Sequence, residues 1–360
     1  MGTSESILIT GAAGFVGSNL TVALLARGHR VVGLDNLSRG SLTNLADVLE
    51  HPGFTFVRGD VEDGDRVLSV ARGCSVVVHL AAFKIPRYGG RLDTLRINHA
   101  GGLNVLEAAR ENGARFLLAS TSDVYGNSPN IPFREDAPLV LGTSESARWS
   151  YAVSKLFDEH LAFGYHEAHG VPCTIIRIFG SYGPNQHLSW WGGPQSVFIS
   201  AVLRGLPVDI HGDGRQTRSF CYISDLVRGL VAAIERTPDG CEIINLGNDH
   251  EVTILELAHL IKRLSGTPGE LKLNMVPYAS FQGKYQDVRR RVPDLRRARA
   301  VLGYEPRVSL EEGLRRTIVW QRARMLSEGH EALLPITSAV DTPTPSRPDR
   351  EPTGPTAATP

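Results

Sequence analysis

Short apolar runs alternate with amphipathic segments through the first half of the chain. The runs at residues 6–10, 30–34, 54–57, 75–80 and 115–119 read as strands. Residues 18–27 and 102–111 carry apolar positions at helical spacing, and a further helical pattern begins at Tyr151. Strands this apolar, lying between helices, predict a parallel sheet covered on both faces. Right-handed crossovers then give a doubly wound, Rossmann-like α/β fold. The pattern stops near Leu334, after which seven prolines fall between Pro335 and Pro360 with almost no large apolar residues. Such a segment buries too little surface to offset its ordering entropy, so residues 334–360 are expected to be a disordered tail.

Composition narrows the class of protein. The 360 residues carry 38 Lys plus Arg against 38 Asp plus Glu, a formal charge of zero. A nucleic-acid coat would need a basic excess. No run of about 18 apolar residues is present to span a membrane. The start, MGTSESILIT, lacks a basic region followed by an apolar one. Cys74, Cys173, Cys221 and Cys241 are scattered, without metal-like spacing. A cytoplasmic protein with reduced thiols, no metal, and neither nucleic acid nor membrane as partner is expected.

Chemistry enters with Gly11-Ala-Ala-Gly14-Phe15-Val16-Gly17, which follows the first strand and opens the first helix. Glycines here allow a tight turn and close backbone approach to a pyrophosphate, and the helix N-terminus supplies unpaired N–H groups. Asp35 closes the second strand, where a carboxylate accepts from ribose hydroxyls and repels a 2′-phosphate, favouring NAD over NADP. Arg39 nearby pulls the other way, because an arginine pairs with such a phosphate. Asp60, after the third strand, is suited to the adenine amine or to a helix cap.

Tyr151 and Lys155 share one helix face at i and i+4. A lysine ammonium beside a phenol lowers its pKa, making Tyr151 a base toward a substrate alcohol. Thr121, at the end of the fifth strand, is positioned to bond the same oxygen.

Together the motifs GAAGFVG, DNLSRG, GDVED, HLAA, LLASTSDVYG, YAVSK, RIFGSYGP, GDGRQTRSFCYISDL, NLGNDHEVTILEL and LGYEP resemble the extended short-chain dehydrogenases/reductases that epimerise, decarboxylate or dehydrate nucleotide sugars. The resemblance implies a Rossmann domain over residues 1–185, with about 218–248 returning to it, and a smaller substrate-binding α/β domain over 186–333. It implies tightly held NAD contacted by Gly11, Gly14, Phe15, Val16, Gly17, Asp35, Asn36, Asp60, Val61, Leu80, Ala81, Ala82 and Lys155. Thr121, Tyr151 and Lys155 match the family's catalytic positions, and Asn98 matches a structural asparagine. A homodimer built on helices near 100–111 and 154–169 is implied as well.

On the substrate side the resemblance points to Lys84, Ser122, Asp123, Gly180, Gln195, Arg218 and Arg291. Arg218 matches an arginine that contacts the diphosphate of the nucleotide sugar. One of Lys284, Arg290 and Arg291 is expected to complete that clamp. Lys84 and Arg87 follow the fourth strand and carry no assigned role. Asp123 stands where similar UDP-glucuronate decarboxylases have glutamate, which shortens its reach by about 1.5 Å. It is either a catalytic acid/base or a structural carboxylate. Asn185 stands where relatives acting on glucuronate often have arginine, which counts against an anionic sugar. Trp190 and Trp191 suit a sugar face or a domain-interface plug. On these residues the leading expectation is a UDP-hexose 4-epimerase working through a 4-keto sugar. A UDP-glucuronate decarboxylase comes second and a dehydratase third. A non-catalytic NAD-binding regulator is disfavoured by the intact Tyr151 and Lys155.

Overall fold

A computed structural model describes residues 4–84, 90–238, 240–281, 286–329 and 333–335. Arg87, Lys284 and residues 336–360 of the expected tail lie outside the described residues. The first half runs β1 (Ser6–Thr10), α1 (Phe15–Ala26), β2 (Arg30–Asp35), β3 (Phe54–Arg58), α2 (Gly64–Ala71), β4 (Val76–His79), α3 (Arg91–Glu111), β5 (Arg115–Thr121), α4 (Trp149–His169) and β6 (Cys173–Ile178). The second half runs β7 (Ser181–Tyr182), α5 (Pro194–Leu203), β8 (Val208–His211), β9 (Thr217–Ser219), β10 (Cys221–Tyr222), α6 (Ile223–Ile234), β11 (Cys241–Leu246), β12 (Glu251–Thr253), α7 (Ile254–Ser265), β13 (Leu273–Val276), β14 (Arg290–Arg291), α8 (Arg296–Leu302) and α9 (Leu310–Ser327).

The main sheet has seven strands in the order β11-β6-β5-β4-β1-β2-β3, all parallel. Its strands are apolar because both faces are covered: all four residues of β4, Val-Val-Val-His, are buried. Apolar side chains of α1, α6 and the later helices fill one face, and those of α2, α3 and α4 fill the other. Thr10 lies opposite Leu34 on one side and His79 on the other, so β1, β2 and β4 end together. Strand order reverses between β1 and β4, and the diverging loops there open a crevice at the carboxyl edge.

All five predicted strands form, with small shifts at their ends. The helix expected at 102–111 instead begins at Arg91. Gly101 and Gly102 interrupt the apolar period, but Val61 and Asp158 pack into the space they leave. Upstream, Thr94 and Asn98 are buried and anchor the extra turns. Residues 333–335 are also fixed: the Leu334 amide donates to the Leu203 carbonyl at 2.7 Å, and its side chain packs on Gly205.

Candidate active site

The crevice is a cavity of about 720 Å³ that reaches from the β1–α1 turn to the segment around Gln195 and to α9. At one end, the chain turns sharply after β1. Gly11 has φ +73°, and its N–H donates to the Leu34 carbonyl at 2.8 Å. A Cβ on Gly17 would overlap the Gly11 carbonyl oxygen, so the loop closes only with glycine there. α1 starts without a side-chain cap, leaving its first-turn N–H groups for a ligand, and Gly14, Phe15 and Val16 line the cavity.

Asp35 is buried and accepts from the Ala13 N–H at 2.9 Å and the Leu37 N–H at 2.8 Å. Burial pushes its carboxyl up, and the two N–H groups pull it down. A carboxylate has about four acceptor sites, so two remain for ribose hydroxyls. Asp60 accepts from Asn36 at 2.8 Å and from the Glu62 N–H at 3.0 Å. It does not cap α2; Asp63 does. Leu80 and Ala82 are on the cavity wall, whereas Gly11, Gly17, Asp35, Asn36, Asp60, Val61 and Ala81 stand off it at the ends of β1–β4. This uncapped helix, glycine cradle and part-satisfied carboxylate fit the pyrophosphate and ribose of NAD.

Arg39 takes neither side of the NADP question directly. Its guanidinium stacks 4.0 Å from the Trp191 ring centroid, beside Phe83. The two tryptophans therefore divide. Trp191 faces the cavity, while Trp190 packs on His211 and Phe198.

In the middle of the cavity, Thr121 ends β5 and its Oγ1 accepts from the Asp123 N–H at 3.2 Å. Tyr151 lines the wall and Lys155 lies buried one turn further along α4. Lys155 Nζ donates to Asp158 Oδ2 at 3.2 Å. The sequence reading has Lys155 lowering the Tyr151 pKa; in the structure the phenol is pushed up. Burial is the main cause, and the negative charges of Asp123 and Asp158 add to it. Asn98 accepts from the Phe83 N–H at 2.7 Å and donates to Ser154 at 2.9 Å, tying the loop after β4 to α4.

At the far end, charge organises the wall. Arg291 reaches Asp123 at 2.6 Å, and Arg148 reaches it at 3.5 Å. Arg148 also approaches Asp287 at 3.8 Å, and Arg218 pairs with Asp287 at 2.8 Å. Three guanidinium groups thus gather around two carboxylates. Burial alone would raise Asp123, but Arg291, Arg148 and Arg218 outweigh it and hold it below the usual carboxylate range. Asp287 is drawn down to about 2, because Arg218 and Arg148 outweigh its burial. Lys84, Ser122, Gly180 and Gln195 line the cavity with Asp123, Arg148 and Arg291, whereas Arg218 and Asp287 stand off it, and the Gln195 Nε2 has no hydrogen-bond partner among the described residues. Arg290 points away to Glu251 at 2.8 Å, whereas Arg291 lines the cavity.

Asn185 lines the cavity, and its amide donates to Ser18 at 3.1 Å and to the Asn44 carbonyl at 3.5 Å. Arg148 and Asp287 are absent from the sequence reading. Arg148 had a signal: it precedes Tyr151 by three residues, one helical turn. Asp287 had none, nor did Trp320, Arg324 and Glu328 of α9, which line the cavity from far along the chain.

Known proteins share this architecture. The model of a family described as the NAD dependent epimerase/dehydratase family matches residues 7–247. UDP-glucuronic acid decarboxylase 1 of Xenopus tropicalis is 37% identical over 334 residues, covering 92% of this chain and 75% of that protein. UDP-N-acetyl-alpha-D-glucosaminuronate decarboxylase of Bacillus cytotoxicus is 35% identical over 318 residues, covering 88% and 97%. The solved UDP-glucuronic acid 4-epimerase of Bacillus cereus, in complex with UDP-glucuronic acid and NAD, superposes with a TM-score of 0.79 at 31% identity. That match covers 89% of this chain and 99% of the other.

Proposed function

The chain belongs to the NAD dependent epimerase/dehydratase family, and from that premise we propose that it decarboxylates a UDP-linked hexuronate of the UDP-glucuronate type. The observation that carries this reading is the arginine cluster beside Tyr151. Arg148 and Arg291 meet at Asp123, and Arg218 and Arg148 approach Asp287. A diphosphate accounts for Arg218, as the resemblance implies. Arg291 Nε is buried without a hydrogen-bond partner among the described residues, and a sugar carboxylate in the cavity would give it one.

When bound, NAD would supply the acceptor, and later the donor, of a hydride at C4 of the sugar. Gly14 and the first turn of α1 would hold its pyrophosphate, and Asp35 its ribose. Tyr151 Oη takes the proton of the C4 hydroxyl, and Thr121 Oγ1 bonds the same oxygen. Lys155 stabilises the phenolate. The resulting 4-ketone makes the C6 carboxylate a β-keto acid. Its C5–C6 bond breaks with the electron pair flowing to the C4 oxygen; C5 then takes a proton from water, which restores the 4-ketone, and Tyr151 Oη gives its proton to the C4 oxygen when hydride is returned to C4. Arg148 and Arg291 hold the carboxylate until it leaves as neutral carbon dioxide, and Asp123 keeps the two guanidiniums aimed. Gln195 offers a buried donor to the nucleotide.

A second reading, a 4-epimerase acting on the same uronate, is favoured by Asp123 being one methylene shorter than glutamate. Incubation with UDP-glucuronate and with UDP-glucose, followed by mass and NMR, separates the two. Loss of carbon dioxide is expected from UDP-glucuronate. Unchanged mass with an inverted C4 supports the epimerase, and turnover of UDP-glucose alone returns the hexose epimerase. Tyr151→Phe is expected to stop either reaction while retaining NAD.

The chain also divides by task on this reading: residues 1–185 with 218–248 bind NAD, and 186–333 shape the sugar end. A second copy is inferred to cover α3 and α4, where Leu92, Leu103, Val153 and Phe157 are exposed. Phe157→Asp is expected to halve the mass seen in sedimentation.

A further inference from the structure

Asp158 has no part in the chemistry above, yet it is built into the same helix. It follows Lys155 by three residues on α4, so the helical repeat turns both side chains the same way. Their side chains are only 1% and 2% exposed, and they meet at 3.2 Å. Asp158 Oδ1 has no hydrogen-bond partner among the described residues. It lies against α3, where a Cβ on Gly102 would come within 2.5 Å of it. A glycine in the middle of a 21-residue helix disfavours that helix. Here it makes room for a buried carboxylate.

The neighbouring charges are few and mostly engaged elsewhere. His79 of β4 is held neutral by burial, with the Lys155 charge adding to the effect. His99 of α3 also acts on Asp158. Glu159 is bound to Ser120 and Arg177, and Glu242 of β11 to Arg236. Asp123 faces Tyr151 from the turn after β5 and is itself held by Arg291 and Arg148. An ammonium tied to a carboxylate exerts a weaker field on a nearby phenol than a lone ammonium does.

We propose that Asp158 is a positioning residue: it holds the Lys155 ammonium on the α3 side of the site, and its charge sets the pH at which Tyr151 becomes a base. The proposal rests on Tyr151 acting as that base. Its sign is independent of how Lys155 and Tyr151 share their protons. Removing a negative charge makes every neighbouring proton easier to lose.

The test is NAD-loaded Asp158→Asn, an isosteric change that keeps the packing. Tyrosine labelled with carbon-13 at the ring carbon bearing oxygen is followed by NMR, and the resonance missing in Tyr151→Phe is assigned to Tyr151. Its titration is expected about one pH unit lower than in the parent protein. With UDP-glucuronate, the acid limb of the hydride-transfer rate should move down by a similar amount, with the change in kcat rather than KM. Gly102→Ala, whose Cβ would come within 2.5 Å of Asp158 Oδ1, should also shift both, by less. If both variants fold and bind NAD while the Tyr151 titration stays within a few tenths of a unit, Asp158 is purely structural and the proposal fails. Absence of turnover with UDP-glucuronate would count against the decarboxylase reading alone, because the tyrosine titration needs no sugar and still decides the role of Asp158.

Discussion

At the NAD end of the cavity, the groups behind the wall are held mainly by backbone amides of two neighbouring strands and the turns that follow them, β1 and β2. The Ala13 and Leu37 amides hold Asp35, and the Gly11 amide binds the Leu34 carbonyl. At the sugar end the partners are side chains from segments far apart. Asp123 follows β5, Arg148 precedes α4, Arg218 lies on β9, Asp287 precedes β14 and Arg291 belongs to it. A backbone cradle accepts almost no substitution without moving the chain. An ion-pair cluster can exchange one charged residue for another and keep its fold. The first kind of construction suits a cofactor shared by many reactions, and the second suits the step at which those reactions part.

Three substitutions test that contrast. Gly17→Ala should have the largest effect. Its Cβ would overlap the Gly11 carbonyl, and overpacking of about 3 kcal/mol in the cofactor loop predicts about a 100-fold loss of NAD affinity. All substrates should suffer equally, as measured by NAD content and turnover after purification. Arg148→Ala should leave NAD content unchanged but lower kcat/KM for UDP-glucuronate about 30-fold, the value of a charge-assisted hydrogen bond of about 2 kcal/mol. Any turnover of UDP-glucose should change far less; an equal loss on both sugars would end the distinction between the two ends.

Asp287→Asn should act most narrowly. The folded Asp287 titrates at about 2, below its ordinary value of 3.8. A depressed acid contributes stability that is present above the unfolded pKa and is lost as pH falls through the folded one. The parent protein should therefore lose about 2 kcal/mol between about pH 4 and pH 2 that the variant does not lose. Denaturant titrations across that window measure it.

The same contrast explains what was legible in the sequence. The glycine loop, Asp35 and the Tyr151–Lys155 pair announce themselves because their spacing is local, and helix or turn geometry converts spacing into position. Arg218 was named, but its partner Asp287 was not, because pairing across 69 residues leaves no periodic trace. The bond from Asn185 to Ser18 on α1 was hidden in the same way, because it depends on a fold closed over 167 residues. The early start of α3 was hidden by Gly101 and Gly102, whose cost is offset only once Val61 and Asp158 fill the gaps.

The position of β11 has a consequence for the order in which the molecule can be made. β6 is an interior strand only because residues 241–246 pair along its outer edge. Asn245, at the end of that strand, also bonds the Tyr125 hydroxyl and the carbonyls of Phe133 and Asp294. While the chain is being synthesised, every strand through β6 leaves the ribosome before the segment that seals them. Until Leu246 emerges, the nascent sheet presents an open parallel edge at Ile175 and Ile178. A fragment ended after β6 would keep that edge for good, so any shortened form of this protein has to run past residue 246 to stay apart from its neighbours.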